Sequence, residues 1–151
     1  MRISSIAVVI SVAAGSALAL PALTQSAFAV QDQPTTIGGV ETVCTGVGSA
    51  KDNPAWSGYP VKLVFANAKG EDLAQEHISV MQGGKSVVET DCDAPWVLFK
   101  APAGQYSATA SLIGGSGQSR SASFSISGSG QKEVTILFKA PSGPPSVPAT
   151  Q

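Results

Sequence analysis

Apolar and polar residues alternate along most of the second half of the chain. In Tyr106–Leu112 the residues Tyr106, Ala108, Ala110 and Leu112 fall on one face, and Ser107, Thr109 and Ser111 fall on the other. Ser121–Ser127 repeats the pattern with Ala122, Phe124 and Ile126, and Glu133–Phe138 repeats it with Val134, Ile136 and Phe138. A period of two is the mark of a strand with one face on a core and one in water. The same reading predicts earlier strands at Val40–Thr45, Tyr59–Ala66, His77–Gln82, Lys85–Thr90 and Trp96–Lys100, with Val61, Leu63 and Phe65 on the core face of the second. Trp96, inside an apolar run, is expected in the core. Helical spacing is nearly absent; the one candidate, Gly70 to Gln82, lacks a three-to-four repeat and is broken by Gly83-Gly84.

Between these runs lie turn residues. Asn67-Ala-Lys-Gly70, Gly83-Gly84, Asp93-Ala-Pro95, Ala101-Pro-Ala-Gly104, Gly114-Gly-Ser-Gly117 and Ser127-Gly-Ser-Gly130 supply the positive-φ or fixed-φ positions that chain reversals need. Seven to eight short strands at this spacing predict an all-β fold, a two-sheet antiparallel β-sandwich over residues 37–139. A small closed barrel is the alternative architecture.

The ends read differently. Met1-Arg2 followed by the apolar run Ile3–Leu23 and by Ala27-Phe28-Ala29 has the layout of a signal peptide over residues 1–29, cleaved after Ala29. Ala17-Leu18-Ala19 offers a second, poorer cleavage site. A retained anchor fits less well, because Pro21 and Thr24-Gln25-Ser26 interrupt the run and no basic cluster follows it. Residues 30–36 are expected to be disordered. So is the tail 140–151, which carries four prolines and no charge. The expected location is therefore periplasmic or secreted, with no stable membrane insertion once the signal is removed.

The remaining 122 residues suffice for one domain and one core. Losing Arg2 leaves eight basic against ten acidic side chains, so no basic patch awaits nucleic acid or an anionic membrane. The two cysteines, Cys44 and Cys92, are expected to pair in an exported chain. Free buried thiols or a metal site are the rival readings, although metal would need more ligands than one histidine supplies. A bridge would close a loop of about 49 residues, worth roughly 4 kcal/mol in the chain-entropy model.

The chemistry on offer is sparse, and no enzyme activity, cofactor or metal is expected. His77 is the sole imidazole and reads as an exposed or edge residue. The serines of Gly-Ser-Gly at 115–117 and 128–130 read as turns, not as a nucleophile elbow. Glu71-Asp72 beside Asn67 reads as a solvated turn, with weak calcium binding as the sharper alternative. Asp91 and Asp93 flank Cys92 and read as two solvated charges framing the bridge. The candidate ligand-binding residues are Trp56 and Tyr59, in the loop Asp52–Tyr59, since planar rings held in a loop can stack on sugars or peptide side chains. The competing reading folds Trp56 back as a lid over one end of the sandwich.

The middle of the chain resembles the carboxypeptidase regulatory-like domain, a transthyretin-like (prealbumin-like) sandwich. The residues that carry the resemblance are Val61–Phe65, Asn67-Ala-Lys-Gly70, Leu73-Ala74, Ile78-Ser-Val80, Trp96-Val-Leu-Phe99 and Pro102-Ala-Gly-Gln-Tyr106. In the last of these, Pro102, Gly104 and Tyr106 would form a structural corner, the tyrosine ring buried and its hydroxyl bonded to backbone. The stretch Cys44–Trp56 is an addition to the family pattern; together with Cys92 it is similar to a group of small exported bacterial proteins. The resemblance implies a fold and an accessory role, not a peptidase, because no His-Glu-x-x-His occurs. The expected function is an exported, non-catalytic binding or interaction module acting on an envelope protein or a glycan. A carbohydrate-binding domain and an accessory subunit of an envelope hydrolase are the alternatives.

Overall fold

In the computed structural model, residues 27–113 and 117–139 are described, Ala27 and Phe28 by their backbone alone. The expected leader up to residue 26, the turn residues 114–116 and the tail 140–151 lie outside them. Among the described residues there are ten strands: β1 (Ala27–Phe28), β2 (Thr35–Ile37), β3 (Val40–Thr45), β4 (Val61–Asn67), β5 (Glu76–Gln82), β6 (Lys85–Cys92), β7 (Trp96–Phe99), β8 (Gly104–Leu112), β9 (Ser119–Ile126) and β10 (Lys132–Phe138). All eight strands read from alternation are here; Val40–Thr45 keeps its bounds and the other seven shift by one or two residues at one or both ends.

The strands form two sheets, β1-β6-β5-β8-β9 and β10-β4-β7-β3-β2, and the protein is the all-β sandwich that the alternation predicts. Most pairings are antiparallel; β10 joins β4 in parallel, as β1 joins β6. The inward faces meet in one core. Leu63, Phe65, Ile78, Val80, Val97, Phe99, Ala108 and Ala110 are all at 0% exposure within it. Cys44 in β3 and Cys92 in β6 are bonded to each other across the two sheets, with Cα atoms 5.7 Å apart.

Residues 30–36, expected to be loose, carry ordered contacts instead. Gln31 bridges Cys44, the Asp32 amide donates to the Cys44 carbonyl at 2.8 Å, and Thr35–Ile37 pairs with Val40–Thr42. A polar segment holds no core of its own, but a free edge of β3 supplies it with backbone partners.

Candidate functional site

The Trp56 loop forms a second layer on the outer face of the second sheet. Cys44 points inward, so its neighbour Val43 points outward; Leu98, between the inward Val97 and Phe99, does the same. Both outward side chains are nevertheless fully buried, packed with Trp56 and Tyr59. What covers them is a pair of short 3₁₀ turns, Gly48–Asp52 and Pro54–Gly58. Asn53 joins the turns, its side-chain oxygen accepting from the Ala55 amide at 3.0 Å, and Pro54 follows with the fixed φ that a helical start favours.

Within this layer Trp56 is 7% exposed and Tyr59 4%. Their rings meet edge to face at 6.1 Å between centroids. The indole N–H donates to the Ala50 carbonyl at 2.7 Å, and the Tyr59 hydroxyl donates to Glu41 Oε1 at 2.7 Å. Burial, and then Glu41, push the phenol up from its ordinary value. The Lys100 ammonium, 2.8 Å from Glu41, and then the Tyr59 hydroxyl hold the Glu41 carboxyl below the usual range. Gln131 ties the loop to the segment before β10 through bonds to the carbonyls of Trp56 and Tyr59.

This arrangement corrects the expectation that Trp56 and Tyr59 present a stacking platform. A stacking ring needs one face free, and here both rings are buried in a cluster with Val43 and Leu98. The lid reading is nearer, except that the lid covers a sheet face, not an end of the sandwich. Trp96 is also corrected. It lies half-buried on the same outer face, with the Lys62 ammonium 4.1 Å and the Lys51 ammonium 5.5 Å from its ring centroid. Gly46, at φ 102°, also lies against that ring, where a Cβ would stand 2.6 Å from Cγ.

The polar candidates also find partners. Asp72 pairs with Lys51, and Glu71 accepts from the Asn67 side chain at 2.5 Å. His77 lies on β5, flanked by β6 and β8, so it is not an edge residue. Its Nδ1 is 2.6 Å from Asp91, and its Nε2 is 3.5 Å from Glu89. Asp91 is thus bonded across the strands, whereas Asp93 is exposed. At the other end of the molecule Tyr106 OH donates to the Pro102 carbonyl at 2.8 Å, and Tyr106 stacks on Phe124 at 5.9 Å.

One residue escaped the sequence reading. Glu76, at the start of β5, is at 0% exposure, and neither carboxylate oxygen has a hydrogen-bond partner. Burial, reinforced by Asp93 and partly offset by its own backbone amide, pushes its carboxyl up to about 8. It is therefore a neutral acid at pH 7. The signal was present in the period of two: Glu76, Ile78 and Val80 share a face, and a strand begun one residue earlier would have pointed Glu76 inward.

Two shallow depressions lie among the described residues. One is lined by Ser57–Pro60 and Ser127–Gly130, the other by Met81, Gly83, Gly84, Gln105–Ser107 and Ser123. Among the described residues no group of three or more His, Cys, Asp or Glu is placed to hold a metal ion, and no helix is long and apolar enough to cross a membrane. No protein-family model matches the chain, and no curated protein matches it.

Proposed function

We propose that the protein is an exported, non-catalytic interaction module, a disulfide-closed sandwich that presents its edges and surface to another envelope protein. The single observation that supports this most is the Cys44–Cys92 bond, buried between the sheets. Such bonds persist in oxidising compartments, where they hold a small domain rigid. The N-terminal layout, with Ala27-Phe28-Ala29 as a cleavage signal, supports the same compartment.

The use of charged groups supports the non-catalytic half of the reading. Glu41 is engaged with Lys100 and Tyr59, Asp72 with Lys51, Glu133 with Lys62, and Asp91 with His77. Three of these pairs surround the Tyr59 and Trp96 rings on the outer face of the second sheet, and the fourth lies on the first sheet. Each carboxylate is engaged by its own partner; a reaction centre would set one beside a nucleophile in a cleft. Burial of Trp56 and Tyr59 removes the support for a glycan platform built on those rings. The transthyretin-like relation remains part of the proposal, supported by the Tyr106–Pro102 corner.

Crosslinking of the tagged protein in the intact envelope, followed by identification of captured chains, tests the reading. A reproducible protein partner is expected; capture of nothing above an untagged control would sink it.

A further inference from the structure

β9 closes one side of the first sheet, and among the described residues no strand pairs with its outer edge. The parity of the ladder tells which groups that edge holds out. The Leu112 amide donates to the Gln118 carbonyl at 3.0 Å, in the same register that sets Ala110 opposite Arg120 and Ala108 opposite Ala122. Bonded and non-bonded pairs alternate along an antiparallel ladder, so the even-numbered residues of β9 bond β8. The amides and carbonyls of Ser119, Ser121, Ser123 and Ser125 therefore point away from the sheet. The Ile113 amide, bonded to the Gln75 carbonyl at 2.8 Å, gives β8 the same parity from its other side. All four serines are exposed. Devices that blunt a free edge are sparse here. β2 is three residues long, and β10 carries Lys132 and Glu133. β9 is eight residues long, without proline, lysine, aspartate or glutamate, and its one charge is Arg120.

We propose that β9 is a homodimer edge: it pairs in antiparallel register with β9 of a second copy about a two-fold axis at Ala122, joining the first sheets of two protomers into one. The strand is self-complementary about that residue. Serines stand one and three positions to either side of Ala122, so Ser121 meets Ser123 of the second copy and Ser119 meets Ser125 of the second copy. Every outward amide and carbonyl of the four serines then finds a partner, whereas an axis moved to Ser121 or Ser123 leaves Ser125 or Ser119 outside the ladder. On the exposed face the new serine neighbours continue the hydroxyl pairs that β8 and β9 already form, Thr109 with Ser121 at 2.7 Å and Ser111 with Ser119 at 3.1 Å. The charge also fits a two-fold axis. Arg120 stands opposite Phe124 of the second copy, so the two Arg120 backbones lie roughly 14 Å apart, beyond the screening length of about 8 Å at physiological ionic strength. With no acidic residue to select a basic partner, the strand has in its own copy the match in length, polarity and register that an isologous contact needs. The pairing requires neither the exported compartment nor a third component, and it makes the module itself a dimer.

Sedimentation of the protein recovered from cells, from about 1 μM to about 1 mM, is expected to show a monomer–dimer equilibrium. Hydrogen exchange at the amides of Ser119, Ser121, Ser123 and Ser125 should slow as the dimer forms. Ser123→Pro removes one outward amide from each copy. Proline is tolerated at a strand edge whose N–H faces solvent, so the variant monomer should unfold at about the parent temperature while its association weakens at least tenfold, roughly the loss of two main-chain hydrogen bonds. Two single-cysteine variants read the register. Treated with oxidised glutathione, Ala122→Cys should form a linked dimer, because a non-bonded antiparallel pair brings its Cα atoms to about 4.5 Å. Ser119→Cys lies roughly 20 Å from its counterpart in this register and should not link. A monomer throughout the range, association untouched by Ser123→Pro, or linkage through Ser119→Cys in place of Ala122→Cys would each overturn the proposal. Slow exchange at the four serine amides in dilute monomer would give the edge to another segment of this chain and overturn it too. Slowing only in the presence of a captured envelope protein would give the edge to that partner, with the same result.

Discussion

Glu76 stands directly opposite Cys92 in the β5–β6 ladder, so a carboxyl without a hydrogen-bond partner shares a sheet face with the cysteine that ties the two sheets together. Both residues face the core, and neither has more than 1% of its surface exposed. The relationship places an ionisable group where water cannot reach it while the bridge keeps that end of the sandwich closed.

Stability should fall as pH rises, because of Glu76. Its carboxyl is neutral in the folded state up to about 8, whereas in the unfolded chain it ionises near 4.5. The stabilising preference is therefore fully present below about 4.5, is lost progressively up to about 8, and is level beyond. At about 1.4 kcal/mol per unit the upper size is about 5 kcal/mol. Urea unfolding from pH 4.5 to 8.5 should show this slope in the native protein. Glu76→Gln should flatten it and be the more stable form at pH 8.5.

Reducing the bridge should cost about 4 kcal/mol, since Cys44 and Cys92 are 48 positions apart and reduction frees the unfolded chain from a long loop. The double variant Cys44→Ala/Cys92→Ala should lose a similar amount, and unfolding in urea with and without reductant measures both. An unchanged midpoint would show that the bond adds nothing to the packed sheets.

Trp56→Ala should behave as a core truncation and cost about 3–5 kcal/mol, because the ring covers Val43 and Leu98. Tyr59→Phe should cost about 1 kcal/mol through loss of the bond to Glu41. Glycan or peptidoglycan fragments should leave the fluorescence of Trp56 unchanged. A saturable change on titration would restore the exposed-platform reading.

Gly46→Ala should destabilise by about 1–3 kcal/mol, since it adds a side chain at φ 102° and drives a Cβ into the Trp96 ring. Displacing that ring also disturbs the Lys62 contact on it. Thermal unfolding of the variant, with near-ultraviolet dichroism to follow the tryptophans, reads both effects.

The inter-sheet core was legible because alternation is local: Tyr106, Ala108 and Ala110 announce an inward face without knowledge of any partner strand. The outer layer was harder. Val43 and Leu98 sit out of phase with the core, and only the loop 48–58, folding back, explains their burial. The continuous apolar run Trp96–Phe99 carried that hint, since a strand buried on both faces loses its alternation. The His77–Asp91 pair required the β5–β6 register, which no single strand encodes. The order in residues 30–36 depended on a neighbouring edge in the same way. Glu76 was missed for a smaller reason, a strand begun one position late.

Intact mass of the protein recovered from the envelope, alkylated with and without prior reduction, tests the account most directly. The account predicts an N-terminus at Val30, no alkylation of the native protein, and alkylation of both Cys44 and Cys92 after reduction. Two thiols that alkylate without reduction, in protein taken from the cytosol, would contradict it.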